Sequence, residues 1–205
     1  MPASTKAKLK RTISRLAYAM ITSTDPETGV DTYGTIKNLP HIAGGREYSI
    51  EPVGDKIGIY ADGLEVYSED ENEGYDITLT TVAVTDDVEA DWYGNTVTTD
   101  GVVEFADTGK FPEFALFIYE DTTDGVGQIT FFGKCHINQR RSDAGKTKEE
   151  GTIEPQFPEH NIACRPRWND RFVKKTIKGK TLLENVPTIT KPSTAAMSLY
   201  DEDDG

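Results

Sequence analysis

The chain has 205 residues, of which 36% are hydrophobic and 28% charged, and its formal net charge is −13. This length suits one domain with short arms, and the charge excludes a protein that wraps nucleic acid through clustered Lys and Arg side chains. Two cysteines are too few for a disulfide framework, so synthesis in a reducing cytoplasm is expected.

The charge is unevenly distributed along the chain. Residues 1–15 carry five basic residues and no acid, whereas residues 16–133 carry 24 acids and four bases. Residues 134–205 carry 13 bases and 11 acids. An acidic block followed by a mildly basic one predicts like subunits that meet head to tail, although uneven solvated faces give the same pattern. No apolar run is long enough to predict a membrane span or a secretion signal.

Alternation of apolar and polar residues, with a period of two, dominates the sequence and predicts β-strands. The run FALFIY (114–119) is apolar on both faces, as in a central strand. The segment 121–127 has the Asp-Gly punctuation of a hairpin that leads into residues 128–137. The remaining candidate strands are 57–61, 75–84, 171–177 and RLAYAMIT (15–22), the last of which can also be read as a short helix.

One helix is predicted over TDDVEADWYG (85–94). Thr85 or Asp86 would be the N-cap, Asp86 and Glu89 have the spacing of a capping box, and Gly94 would end the helix. Val88 and Trp92 lie four residues apart and would form its buried stripe.

Two long segments, 23–56 and the acidic 62–74, lack a strong period and are predicted to be loops. The fold class is therefore mainly β: an antiparallel β-sandwich or barrel-like domain with one short flanking helix and long loops. The predicted divisions are a basic N-terminal arm over 1–11, the β domain over 12–186 and an acidic C-terminal arm, extended or disordered, over 187–205.

Both cysteines and two of the three histidines lie between residues 135 and 164, and two Cys with two His form the ligand set of a structural zinc site. If 128–137 is a strand, Cys135 and His136 point to opposite faces. His160 and Cys164 would lie roughly 13 Å apart on another strand. We therefore predict no metal site, and favour cysteines packed as small hydrophobic residues. A cross-strand contact between Cys135 and Cys164, including a disulfide, stays open.

Other motifs give no chemistry. AGKTK (144–148) resembles a phosphate loop, but Arg140 replaces its first glycine and no helix follows. SEDENEG (68–74) lacks the ligand spacing of a calcium loop and is read as a solvated acidic loop. His41 sits beside Pro40 without an evident nucleophile. We therefore predict no catalytic, cofactor-binding or metal-binding residue, no cofactor and no enzyme activity.

The order of several short motifs resembles the major tail protein, or tail tube protein, family of bacteriophages with long non-contractile tails. The motifs are IYAD (59–62) before an acidic loop, DITLT (76–80) leading into the helix that ends at Gly94, FALFIYE (114–120), and the T-x-E-x-x-T-I-E-P segment at 147–155. The resemblance covers roughly residues 12–180.

The resemblance implies a β-sandwich-like subunit that closes into rings of six, which stack into the hollow tail of the virion after assembly in the host cytoplasm. The genome would pass through the lumen without specific binding, and no membrane would be involved. The expected partners are further copies of the chain, and the tape-measure, tail terminator and baseplate proteins.

Three features derived from the residues agree with this implication. A ring uses strand edges that an open sheet leaves bare. An acidic wall would let the negatively charged duplex slide. Head-to-tail contacts build filaments, with the long loops and arms between rings. The basic stretch 165–180 is expected to meet an acidic surface of a neighbouring subunit, unless it is simply a solvated face; its seven bases are Arg165, Arg167, Arg171, Lys174, Lys175, Lys178 and Lys180, against Asp170 alone.

Two other classes of function compete with this one. A β-sandwich that binds a carbohydrate or protein ligand would need an exposed aromatic patch, for which Trp92, Tyr93 and Trp168 are available. A hydrolase would need a cleft with paired carboxylates.

Overall fold

The computed structural model describes residues 9–61, 64–106, 109–141 and 155–189, with the backbone alone for Arg11 and for residues 56–61 and 65–70. Strands dominate it. In the first half they are β1 (Lys10–Thr24), β2 (Asp31–Tyr33), β3 (Lys37–Asn38), β4 (Gly45–Val53), β5 (Lys56–Ala61), β6 (Leu64–Asp70) and β7 (Gly74–Thr81), with a 3-10 turn at His41–Ala43. Helix α1 (Asp86–Tyr93) follows, and then β8 (Thr96–Thr98), β9 (Gly101–Val103), β10 (Glu113–Thr122), β11 (Gln128–Ile137), β12 (Glu159–Cys164) and β13 (Lys174–Lys178).

Nine strands form one antiparallel sheet in the order β2-β1-β10-β11-β12-β7-β4. Strand β3 lies beside β2 along β1, and β13 lies beside β12 along β11. The pairs β5–β6 and β8–β9 form two small separate ladders. The predicted fold class, mainly β and antiparallel with one helix, is confirmed.

The sheet curls so that its two halves face each other across one core. The half made of β1, β10 and β11 joins the half made of β12, β7 and β4 through only three residue pairs between β11 and β12. At the far ends the sheet nearly closes, because Lys10 Nζ on β1 lies 2.7 Å from the hydroxyl of Tyr48 on β4. The enclosed core contains Leu16, Ile77, Leu79, Phe114, Leu116, Ile118, Phe132 and Ile162, together with Trp92 of α1.

The outer face of β1, β10 and β11 is also buried. Ala17, Phe117 and Phe131 form a second cluster there, covered by Phe172 and the residues up to Ile189. Strand β10 is therefore buried on both faces, as its sequence predicts. Within the predicted C-terminal arm, Ile189 packs on this cluster, and residues 190–205 lie outside the described residues.

Helix α1 lies where the sequence predicts it, and Val88 and Trp92 are its buried stripe. Gly94 ends it in the left-handed conformation with φ 69°, and its N–H donates to the Ala90 carbonyl. The capping box is wrong, because Thr85 is the N-cap and makes no side-chain cap bond. The Glu89 carboxylate instead accepts hydrogen bonds from Asn95 and Arg141.

Several other predictions need correction. Residues 15–22 are strand rather than helix, because they extend a long ladder with β10 that begins at Lys10, inside the predicted N-terminal arm. The predicted loop 23–56 contains β2, β3 and β4, and the predicted loop 62–74 contains β6. These short polar strands are stabilised by cross-strand pairing, which local sequence does not reveal. The strand predicted over 171–177 begins at Lys174.

No helix in the described part of the chain is both long and apolar enough to cross a membrane.

Candidate functional site

The first candidate feature is an acidic hairpin, defined as residues 55–73. Strands β4 and β7 pair as far as Val53 and Gly74, and the ladder then continues through bonds from Glu73 N–H to the Val53 carbonyl and from Glu71 N–H to the Asp55 carbonyl. Strands β5 and β6 continue this antiparallel pairing, from Lys56 opposite Asp70 to Ala61 opposite Leu64. The hairpin is thus an extension of the β4–β7 ladder at the edge of the sheet, and within the described chain β5 and β6 pair only with each other.

The hairpin is strongly negative. It carries seven acids, Asp55, Asp62, Glu65, Glu69, Asp70, Glu71 and Glu73, and a single base, Lys56. A two-stranded ladder on its own is marginally stable at best. A charged hairpin of this kind gains stability when a complementary surface covers it.

Glycines shape the base of the hairpin. Gly54 has φ 151°, and a Cβ there would lie 1.7 Å from the Glu71 carbonyl oxygen. Gly74 has φ 124°, and a Cβ there would lie 2.1 Å from the Cys164 carbonyl oxygen. Both positions combine a backbone conformation that side chains disfavour with a close approach of another backbone segment.

A basic strip lies on and around β13; we define it as Arg171, Lys174, Lys175, Lys178 and Lys180. All five side chains are exposed, and residues 171–180 contain no acid. Within the described chain β13 pairs only with β11, so its other edge is free. Lysines on a free edge discourage uncontrolled strand pairing, and they also present positive charge to a negative partner.

The predicted basic stretch 165–180 is partly neutralised within the chain. Arg165 Nη1 lies 2.8 Å from Asp76 Oδ1, Arg167 pairs with Asp170, and Lys180 Nζ lies 2.7 Å from Asp121 Oδ1. Lys174 Nζ sits 4.0 Å from the centre of the Tyr75 ring. Arg171, Lys175 and Lys178 form no ion pair with any residue that the structure describes. The charge open to a partner is therefore concentrated on these three residues.

A cleft of about 460 Å³ lies where β1 and β4 approach without pairing; its lining includes Thr12, Ile13, Arg46 and Glu47. At its floor the buried Glu120 carboxylate accepts hydrogen bonds from Tyr48, Gln128 and Thr130 and lies 3.1 Å from Lys10 Nζ. Burial would raise the pKa of Glu120, but the hydrogen bonds from Gln128, Tyr48 and Lys10 outweigh it and lower the pKa. A carboxylate held ionised in this way stabilises the cleft and is poorly suited to act as a general acid.

The Cys and His cluster is divided as its strand geometry predicts. Cys135 lies in the enclosed core, while His136 is half-buried on the other face of β11. Cys135 and Cys164 are cross-strand partners with their Sγ atoms 2.7 Å apart. Among the described residues no group of three or more His, Cys, Asp or Glu side chains could hold a metal ion. His41 lies exposed in the 3-10 turn, and 144–148 lies outside the described residues.

His160 is an interior polar anchor that sequence reasoning did not identify. Its Nδ1 accepts from the Tyr93 hydroxyl at 2.7 Å, and its Nε2 lies 3.0 Å from Thr81 Oγ1. Because Thr81 donates its own proton to the Ala83 carbonyl, Nε2 carries the imidazole proton. This network joins α1, β7 and β12. Burial lowers the pKa of His160 to about 4, because the charged imidazolium would be desolvated.

We expect stability to fall in acid because of His160. Below a pKa of about 6.5 the unfolded chain binds a proton that the folded chain excludes until about pH 4. The free energy of unfolding should therefore fall by up to roughly 3 kcal/mol between pH 6.5 and 4. Urea unfolding at several pH values measures this fall. Most of the pH dependence should disappear in His160→Gln, whereas His41→Gln should retain it. If the free energy of unfolding of His160→Gln depended on pH as in the wild type, His160 would not be the cause of the loss in acid.

The aromatic residues named for a ligand-binding module are mostly interior. Trp92 and Tyr93 are buried, and Trp168 is 66% exposed. Trp168 lies over Gly29, where a Cβ would approach its ring to 2.3 Å. The aromatic surface needed for that alternative would therefore depend on Trp168.

The small β8–β9 ladder exposes a further apolar surface. Val97 pairs with Val102, and Val103 lies opposite Thr96, with Phe105 following at 60% exposure. Three valines and a phenylalanine on a two-stranded ladder are typical of a surface that a partner covers.

Comparison of the sequence with protein-family models, and with curated proteins, finds no match. The resemblance to tail tube proteins therefore stays a prediction.

Proposed function

We propose that this protein is a structural subunit of a bacteriophage tail tube, which assembles into stacked rings around a channel for DNA. The observation that carries the proposal is the acidic hairpin, which extends the β4–β7 ladder and pairs with no other described strand. It is matched on the same chain by the exposed basic strip. A surface and its complement at separate places on one chain produce head-to-tail association rather than a closed pair.

The free strand edges support the same proposal. Within the described chain, β4 has a partner only on its β7 side and β13 only on its β11 side. Open edges are a liability in a lone subunit, and they are removed when neighbouring subunits pair around a ring. The exposed Val97, Val102 and Val103 would add apolar contact between subunits.

The acidic block over residues 16–133 suits a channel for DNA. A duplex carries about one negative charge per 1.7 Å of its axis, so basic walls would retain it and acidic walls would let it pass. The net charge of −13 is consistent with a wall that makes no specific contact with the duplex. Tape-measure, terminator and baseplate proteins would be the further partners of such a tube.

Negative-stain electron microscopy of the purified protein, with light scattering on the same sample, tests the proposal. Rings or tubes with a central hole are expected as concentration rises. A chain that stays a monomer at every concentration and salt would count against the tube. Screening for glycan binding would then become the next step, since the ligand-binding module is the competing class.

Charge reversal tests how the subunits meet. We expect the triple variant Arg171→Glu, Lys175→Glu and Lys178→Glu to raise the concentration needed for assembly by about tenfold or more, since each tenfold is about 1.4 kcal/mol. Light scattering at fixed salt measures this, and circular dichroism confirms that the variant folds.

A reciprocal change supplies the control. The variant Asp55→Lys, Glu71→Lys and Glu73→Lys reverses three exposed acids of the hairpin. It should also assemble poorly alone, and mixing it with the first variant should restore assembly. Assembly of the first variant at wild-type concentrations would show that the strip is only a solvated face.

A further inference from the structure

The two cysteines lie at the narrowest connection in the sheet. Cys135 on β11 is opposite Cys164 on β12, and the only other pairs between these strands are His136 with Ala163 and Ile137 with Ile162. Both cysteines are fully buried in the enclosed core. These three pairs, with the hydrogen bonds at either end of them, join the β1–β10–β11 half of the sheet to the β12–β7–β4 half.

The backbone pattern shows which kind of cross-strand position they occupy. Arg165 N–H donates to the Lys134 carbonyl at 2.9 Å, and Asn138 N–H donates to the Asn161 carbonyl at 2.8 Å. Hydrogen-bonded and non-hydrogen-bonded pairs alternate along an antiparallel ladder, so the Cys135–Cys164 pair is of the non-hydrogen-bonded kind. At such a pair the Cα atoms lie about 4.5 Å apart and the side chains come closest, within the span that a disulfide bridges.

We propose that Cys135 and Cys164 are the site of an intramolecular disulfide, which fastens the two halves of the sheet together. The oxidant is a low-molecular-weight disulfide such as oxidised glutathione. One cysteine thiolate attacks it, forming a mixed disulfide and releasing one glutathione thiolate. The second cysteine thiolate then attacks the protein sulfur of the mixed disulfide, which forms the Cys135–Cys164 bond and releases the second glutathione. Two protein thiols are oxidised, one disulfide is reduced, and the cysteine protons pass to solvent.

Burial determines when the reaction takes place. The reacting species is the thiolate, and burial raises the pKa of the Cys135 thiol, as does its hydrogen bond with Cys164. Neither sulfur is exposed in the folded chain. The bond therefore forms while β12 is detached from β11, during folding or a local opening. In the folded chain the two buried thiols are protected from the oxidant, and a reducing cytoplasm would keep them reduced.

The bond would stabilise the chain without changing its fold. It would close a loop of about 30 residues between the two cysteines, which restricts the unfolded chain. No strand has to shift, because the two residues are already partners in register. Oxidation should therefore raise the unfolding midpoint in denaturant.

The test uses the full wild-type chain. The protein is unfolded in urea, refolded in a mixture of reduced and oxidised glutathione, and compared with a sample kept in a phosphine reductant. Thiol titration, intact mass and peptide mapping identify the bond, and urea unfolding measures its effect. We expect loss of both thiols, a monomer lighter by two hydrogen atoms, and a higher midpoint that returns to the reduced value on reduction. Persistence of both thiols, a stable glutathione adduct, a disulfide between chains, or an oxidised form with a lower midpoint would overturn the proposal.

Two comparisons sharpen the result. Cys135→Ala and Cys164→Ala should show no rise of the midpoint on oxidation, and the wild-type measurement stands by itself if either variant does not fold. Chain that is already folded should lose its thiols at least about tenfold more slowly than refolding chain, because the sulfurs are buried. Equal rates would overturn the route through an opened β11–β12 junction. None of these readouts depends on assembly, so the disulfide and the proposed tube can fail independently.

Discussion

Replacing Trp92 by alanine should lower the free energy of unfolding by roughly 3–5 kcal/mol, the range observed when a buried aromatic side chain is removed. Trp92 is fully buried, and its ring stacks on Phe114 with centroids 4.9 Å apart and planes 5° apart. It also makes T-shaped contacts with Tyr18 and His160, whose ring centroids lie 5.5 and 5.4 Å from its own. Trp92 is the largest of the three α1 side chains buried in the enclosed core, beside Val88 and Tyr93, so its loss should loosen the helix. Urea unfolding followed by far-ultraviolet circular dichroism measures the change.

The chain contains its own control, because it has only two tryptophans. Trp168 is 66% exposed, so Trp168→Ala should cost about 1 kcal/mol or less. The same variant leaves Trp92 as the single tryptophan, and its emission on selective excitation should report a buried indole. Equal costs for the two substitutions would show that α1 is not fastened to the core as described.

Gly74→Ala should destabilise the chain by roughly 3 kcal/mol or more. The backbone at Gly74 has φ 124°, which alanine adopts only with strain. Its Cβ would also lie 2.1 Å from the carbonyl oxygen of Cys164, a backbone atom that moves only if β7 and β12 separate. The expected result is a large drop in the thermal midpoint and in soluble yield.

Two other glycines separate the causes of that effect. Gly101 has φ 140°, but among the described residues no atom beyond its chain neighbours lies within 4 Å of a Cβ built on it, so Gly101→Ala measures backbone strain without a clash. Gly109 has no positive φ, and no described residue beyond its chain neighbours lies within 4 Å of a Cβ built on it, so Gly109→Ala should be nearly neutral. If Gly74→Ala cost no more than Gly101→Ala, the close contact between β7 and β12 would be contradicted.

The strongly apolar elements of the fold were predictable from the sequence. Residues 128–137 form a strand with the predicted bounds, 114–119 lie inside β10, and α1 is within one residue of the predicted helix. In these segments the local hydrophobic period and the tertiary packing agree. The short polar strands β2, β3 and β6 were not predictable, because their stability comes from ladders with β1 and β5.

The candidate surfaces were predictable only in part. The charge of the acidic hairpin and of residues 165–180 can be read from the sequence, and the opposite faces of Cys135 and His136 follow from strand alternation. The intramolecular pairs of Arg165, Arg167 and Lys180 could not be foreseen, because their partners depend on the sheet order. The same is true of the His160 network, which joins residues far apart in the chain.

The continuity between the acidic hairpin and the β4–β7 ladder has a mechanical consequence. The two strands that leave the sheet at Val53 and Gly74 belong to β4 and β7, and β7 is itself paired with β12. The hairpin is thus held in the sheet by β4 and β7. A force applied to the hairpin either bends the chain at Gly54 and Gly74 or is transmitted through β7 to β12. Tension on this surface would reach the β11–β12 junction before it reached β10, the strand buried on both faces.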